Sequence, residues 1–275
     1  MIRSMLVAMD GSPYSDGAGA LAIEWGRRFD AAAVTMGMVE ELAAVVPTGL
    51  GAMRRDWEPS PARLPAAETR ICEYLARFRA HCIQAGIDWS TVDALGSSDD
   101  DIVAEAAAYD VVVLGVPTSF DAVSHDGRDW TSAGFLRRCP RPLVLVPRAP
   151  TEGHGVLVAY GNGPEVARTL QSFTLLGLAG REPVTVLAIG HDSVELARRL
   201  RRIEAYLVAH KTPHHLQPII GQAAPAEIIL EEIRRRRPRL VVTGAPGPSG
   251  IPDVLSTSAL RVALSVASVP VFVGC

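Results

Sequence analysis

Short unbroken runs of apolar residues recur along the chain, at Met5–Met9, Val111–Leu114, Leu143–Val146, Val156–Tyr160, Leu240–Val242 and Val271–Val273. Runs of this length without polar alternation are what strands covered on both faces require. Between them the apolar positions change to helical spacing. Ala18, Leu21, Trp25 and Phe29 share one stripe after Ser12, a cap residue, and Pro13 at the first helical position; Val166, Leu170, Phe173 and Gly177 form a second stripe after Pro164. The pattern predicts further strands near 34–39 and 89–94 and helices near 66–85, 101–108 and 131–138 in the first half. In the second half it predicts strands near 156–160, 184–189, 214–219, 239–243 and 270–273. Strand and helix alternate throughout, which signals a parallel sheet with helices on both faces.

The two halves repeat one another. Met5-Leu-Val-Ala-Met-Asp10-Gly-Ser-Pro13 returns as Val156-Leu-Val-Ala-Tyr160-Gly-Asn-Gly-Pro164, and Pro142-Leu-Val-Leu-Val146 returns as Pro270-Val-Phe-Val273. Each copy also has an apolar strand that finishes on glycine, at Gly115 and Gly244. The chain of 275 residues therefore divides into domains at 1–148 and 155–275, joined by a short linker around Arg148–His154. Copy one is the longer, chiefly through a Pro-, Gly- and Arg-bearing stretch at 45–67 that reads as a loop. Such a loop either covers the crevice at the strand ends or decorates the surface, and decoration is the simpler expectation.

Composition narrows the function classes. With 48% apolar, 21% charged and 5% aromatic residues and a formal charge of −3, the chain offers neither a field for nucleic acid nor rings for stacking bases. No apolar run approaches the roughly 20 residues that span a bilayer, so no membrane partner is expected, and the expected location is the cytoplasm. Cys72, Cys82 and Cys139 have no paired spacing and read as small core residues, while the terminal Cys275 is placed for oxidation between molecules rather than for catalysis.

Leu6-Val-Ala-Met-Asp10-Gly-Ser-Pro13 followed by a helix resembles the start of universal stress protein (UspA-like) domains, as does a Gly-bearing strand, loop, helix and Pro-led closing strand at the end of each copy. Copy two is also similar to the family's Gly-x2-Gly-x9-Gly-Ser/Thr nucleotide loop, with Gly244, Gly247, Thr257 and Ser258. The resemblance covers the chain outside the insertion. It implies a tandem α/β protein of two doubly wound, Rossmann-like domains, each with a five-stranded parallel sheet in order 3-2-1-4-5 and a crevice at the carboxyl ends of strands one and four. It also implies that the closing strands lie at sheet edges and meet, making a pseudo-dimer of the two copies within one chain; a homodimer of chains is left open.

A Gly-x2-Gly loop lets backbone N–H groups approach phosphate, and the next helix presents its unsatisfied donors. Gly244, Gly247, Thr257 and Ser258 fit that logic as cofactor-binding candidates, with ATP and Mg²⁺ as the ligand. Pro246, Pro248 and Pro252 oppose it because they have no N–H, Thr257 replaces the family's glycine before the hydroxyl residue, and the acid that ends strand one falls on Gly161. Copy one has that acid as Asp10, but its loop has Thr118 at the second glycine and Asp121, Asp126 and Asp129 where phosphate would lie. Gly244 and Gly247 read equally as a tight exit turn, and Asp10 as a cap.

Other constellations are weaker. Ser124-His125-Asp126 has triad residue types, but adjacent loop residues cannot chain their hydrogen bonds, so no catalytic residue is assigned. His210, His214 and His215 have no further ligand at metal spacing, and no metal site is assigned. Arg198–Arg202 and Arg234–Arg239 read as solvated helix faces, with Glu231 and Arg235 as an i,i+4 pair. The leading expectation is a non-enzymatic, nucleotide-independent interaction module of stress adaptation, requiring no cofactor and holding protein partners on loops such as 45–67 and 117–130. The alternative is an adenine-nucleotide sensor using the second-domain glycine loop. A weak ATPase ranks last.

Overall fold

The computed structural model describes residues 1–37, 64–92, 99–116, 136, 138–150, 152–161, 163–221, 224–245 and 269–274. The first half runs β1 (Ser4–Met9), α1 (Pro13–Phe29), β2 (Ala32–Gly37), α2 (Leu64–Ala85), β3 (Trp89–Val92), α3 (Asp99–Ala106), β4 (Val111–Gly115) and β5 (Leu143–Val146). The second half runs β6 (Val156–Tyr160), α4 (Pro164–Leu175), β7 (Val184–Gly190), α5 (Ser193–Ala209), β8 (His214–Ile220), α6 (Pro225–Arg236), β9 (Leu240–Gly244) and β10 (Val271–Gly274).

The ten strands among the described residues form one sheet in the order β3-β2-β1-β4-β5-β10-β9-β6-β7-β8. Each half thus has the 3-2-1-4-5 order that the resemblance implies. Within a half every pairing is parallel; β5 and β10 alone pair antiparallel, with Val144 opposite Phe272. Two apolar edges that would otherwise invite aggregation cover one another. The outer edges are β3 and β8, whose residues are only partly buried, and Pro218 is tolerated in β8 because an edge strand need not donate every N–H.

The strand runs are apolar throughout because both faces are covered. Met5, Val7 and Met9 face α1 and α2, while Leu6 and Ala8 share the opposite core with Ile102 and Ala106 of α3. In the second half α4 and α5 lie on the first face and Ile229 and Ile233 of α6 on the other. Ser12 caps α1 through the Tyr14 N–H, and Asp30 ends it in the left-handed conformation. Trp25 is wholly buried, and its ring meets Phe29 edge-on.

Several expectations are corrected. α2 begins at Leu64, so the last residues of the 45–67 stretch are helical rather than loop; residues 45–63, like 117–130, lie outside the described residues. Cys72 is exposed whereas Cys82 and Cys139 are buried: Ile71, Phe78 and Cys82 define the inward stripe of α2, and Cys72 stands one residue off it. Gly177 does not continue the α4 stripe but follows the helix end at φ +70°. Among the described residues no helix is long and apolar enough to cross a membrane.

Candidate functional site

Asp10 immediately follows β1, and Gly244 is the last residue of β9. The strand order separates β1 from β9 by four steps, about 19 Å at the usual spacing between strands. Because β5 and β10 run antiparallel, the carboxyl ends of β1 and β9 also open at opposite ends of the sheet. Asp10 and Gly244 therefore belong to separate crevices. Gly247, Thr257, Ser258 and Cys275 lie outside the described residues.

The turn after β1 uses Asp10 internally. Its Oδ1 accepts from the Ser12 N–H at 2.9 Å and from the Ser15 hydroxyl at 2.7 Å, while the Asp10 N–H donates to Ser15 Oγ at 3.2 Å. Gly11, at φ +72°, makes this tight exit possible. Gly115, at the end of β4, lies against the Tyr14 backbone, and an added Cβ would collide with the Tyr14 carbonyl. Gly244 repeats the arrangement against α4: a Cβ there would sit 2.8 Å from the Val166 nitrogen. Both strand-ending glycines thus have a packing reason, the close approach of the first helix of each half.

At the corresponding place in copy two the cap chemistry is gone. Gly161 stands where copy one has Asp10, and Gly163 stands at the N-cap of α4 with no side-chain hydrogen bond. A cavity of about 480 Å³ opens there, lined by Tyr160, Gly161, Gly163, Pro164 and Ala167, with Glu195, Arg198, Arg199 and Arg202 of α5 opposite. Three guanidinium groups face one carboxylate. Glu195 Oε1 accepts from Arg199 Nη2 at 3.3 Å, while Arg199 Nη1 is shut off from solvent with no hydrogen-bond partner among the described residues. Burial raises the Tyr160 phenol pKa and outweighs the lowering effect of the Arg199 and Arg202 charges. The matching groove of copy one, between α1 and α2, is about 600 Å³ and mixes Asp16 with Arg27, Arg77 and His81 over Met9, Ile23 and Phe78.

Arg234, Arg235 and Arg237 are exposed, as a solvated helix face requires, whereas Arg236 and Arg239 are partly buried in ion-pair networks. Glu232, not Glu231, is the hub of α6: its Oε2 accepts from Arg235 at 2.6 Å and Arg236 at 2.7 Å, and its Oε1 from Gln217 of β8 at 3.1 Å. Arg236 continues to Gln217 Oε1 and to Thr185 Oγ1. Burial works against the Glu232 charge, but the hydrogen bonds from Arg235, Arg236 and Gln217 prevail and hold its carboxyl below the usual range. Glu182 does the same between the halves. It accepts from Arg28 of α1, from Arg239 Nε at 2.8 Å and from the Gly155 N–H at 2.7 Å. Its burial is likewise outweighed by Arg28, Arg239 and Gly155, so its carboxyl lies below the ordinary value. Arg239, with only 9% of its side chain exposed, also donates to the Leu178 carbonyl at 2.5 Å.

Sequence reasoning missed the α4–α5 cavity. Its signal is the replacement of both cap residues by glycine in one copy, together with Arg198 and Arg202 one helical turn apart. Among the described residues no group of His, Cys, Asp and Glu is arranged to hold a metal.

The whole chain superposes on solved structures of low sequence identity. A universal stress protein of Archaeoglobus fulgidus DSM 4304 matches with a TM-score of 0.72 at 16% identity, over 98% of this chain and 95% of that one. A functionally unknown protein of Pseudomonas aeruginosa PAO1 matches at 0.52 and 14% identity, over 99% and 92% of the two chains. A protein of Pseudomonas aeruginosa UCBPP-PA14 described as a universal stress protein matches at 0.54 and 16% identity, over 99% and 92%. The chain has the tandem universal stress protein fold. No protein-family model matches the sequence, and no curated protein matches it.

Proposed function

We propose that this chain is a tandem universal stress protein that acts in stress adaptation as a non-catalytic, nucleotide-independent interaction module. The observation that carries the reading is the use the fold makes of its motif residues. Asp10 is engaged by Ser12 and Ser15, and Gly244 is required by the Val166 backbone, as Gly115 is by that of Tyr14. Each has a structural task that needs no ligand. Copy two lacks the acid altogether, having Gly161 in its place. Fold alone does not assign a function, so the reading rests on these residues rather than on the superpositions.

The competing reading, an adenine-nucleotide sensor with ATP and Mg²⁺ in the second domain, is kept by the spacing of Gly244, Gly247, Thr257 and Ser258. Calorimetric titration of the nucleotide-stripped chain with ATP and Mg²⁺, repeated on Gly247→Arg, separates the two. The interaction reading expects no saturable heat from either protein. Saturable binding in the parent chain that disappears in G247R would replace it with the sensor.

A further inference from the structure

Of the two outer edges of the sheet, β8 is the one that invites another strand. It is seven residues long, against four in β3 among the described residues. Its sequence, His214-His-Leu-Gln-Pro-Ile-Ile220, contains no lysine, arginine, aspartate or glutamate, the side chains that commonly keep an edge apart from other chains. Ile220 at its end is 59% exposed. The pairing with β7 is continuous, from Val184 opposite His214 to Gly190 opposite Ile220.

One hydrogen bond sets the direction of the β8 backbone groups. The Val184 N–H donates to the Pro213 carbonyl at 2.8 Å, so residue 213 turns its polar group toward β7. In a regular parallel ladder this direction alternates from residue to residue. Residues 215, 217 and 219 therefore also face β7, and 214, 216, 218 and 220 face outward. Pro218 stands inside the outward row. An incoming strand meets donors at His214, Leu216 and Ile220, and between the last two it meets a pyrrolidine ring where an N–H should be.

We infer that Pro218 guards the outer edge of β8 and prevents a second copy of this chain from adding its own β8 to form a continuous sheet. The antiparallel twofold pairing that uses the whole strand sets Leu216 of each copy opposite Pro218 of the other. Each such pair lacks one of its two hydrogen bonds, and the ring pushes the facing carbonyl away. The two inner edges of the chain are buried by pairing with one another, β5 with β10. The outer edge of the second half is closed by a single residue instead. This goes beyond the interaction reading and limits it: partners reach the second half through its side chains and not by strand addition at β8.

The test is sedimentation velocity of the full chain over a wide concentration range, with hydrogen exchange read at single amides. Pro218→Val raises the association constant at least about tenfold over the parent, because each copy regains a donor. Pro218→Val combined with Ile220→Lys returns it to the parent value, since a lysine on the edge restores the guard by charge. In the parent the Leu216 and Ile220 amides exchange freely at every concentration, while those of Gln217 and Ile219, turned toward β7, are protected. In P218V the first two become protected as concentration rises. An unchanged association constant in P218V, equally strong association in the double variant, or protected Leu216 and Ile220 amides in the parent overturns the assignment. Pro218 and Ile220 are both exposed, and equal urea midpoints show that the variants keep the fold.

Discussion

Replacing Glu182 with alanine removes a carboxylate that ties the first half of the chain to the second, and its consequence can be worked from the geometry. Glu182 is 27% exposed and Arg28 28%, whereas Arg239 is only 9% exposed. Without the carboxylate, Arg239 keeps the Leu178 carbonyl as its hydrogen-bond acceptor, and its charge stays largely out of water beside that of Arg28. Breaking a fully buried pair on one side costs roughly 3–5 kcal/mol; partial access of water to Glu182 and Arg28 reduces this to about 2–3 kcal/mol. Glu182→Gln keeps the shape and one acceptor, and should lose about 1–2 kcal/mol because the remaining hydrogen bond is no longer charge-assisted.

Urea unfolding followed by circular dichroism measures both losses through the shift in midpoint. The pH dependence supplies a second readout. The folded-state pKa of Glu182 is lowered, so its contribution is fully present above the ordinary carboxylate range and is lost as pH falls through the depressed folded value. The gap between the parent and E182Q should therefore close under acid conditions and stay constant from neutral pH upward. A loss below about 0.5 kcal/mol in E182A, typical of an exposed surface pair, would refute the claim that this cluster holds the halves together.

Two further outcomes follow from packing. Gly244→Ala should destabilise the chain by about 1–3 kcal/mol through overpacking against the Val166 backbone, with no ligand present; an unchanged urea midpoint would return Gly244 to a ligand-binding role. A thiol reagent at neutral pH should modify Cys72 rapidly and Cys82 and Cys139 only on unfolding, as mass spectrometry of the labelled peptides would show. Burial pushes the Cys82 thiol up to about 11, so the stability that its neutral form contributes declines as pH rises above the ordinary thiol range.

The strands were legible because a sheet covered on both faces imposes unbroken apolar runs, and β6 spans the same 156–160 that its run predicts. The helix stripes were legible for the same reason, down to Val166, Leu170 and Phe173, all buried. Ion-pair partners were not. Glu231 and Glu232 are neighbours with equal local prospects of meeting Arg235, and only the packing of α6 on β7 and β8, which brings Gln217 and Thr185 alongside, selects Glu232. Glu182 lies in an Arg-Glu-Pro turn with no pattern of its own, and its partner Arg28 is 154 residues away in sequence. Long-range choices of this kind depend on which elements touch, information that periodicity does not carry.

What the two copies share and what they do not share divide along the same line. Gly115 and Gly244 stand at equivalent strand ends because both face a helix backbone with no room for a Cβ. Shared frame residues therefore report the geometry of the doubly wound sheet, and their recurrence is no argument for a ligand. The positions that differ lie one step away, where Asp10, Ser12 and Ser15 give way to Gly161, Gly163 and Val166. That change leaves the sheet intact and alters only what the helix end offers to its surroundings. In copy one Asp10 and Ser12 take N–H groups within the turn; in copy two Gly163 provides no side-chain cap, and Gly244 packs against the Val166 backbone. Chemistry in a duplicated fold is thus to be sought where the copies diverge around an unchanged frame, not in the glycines that the frame itself requires.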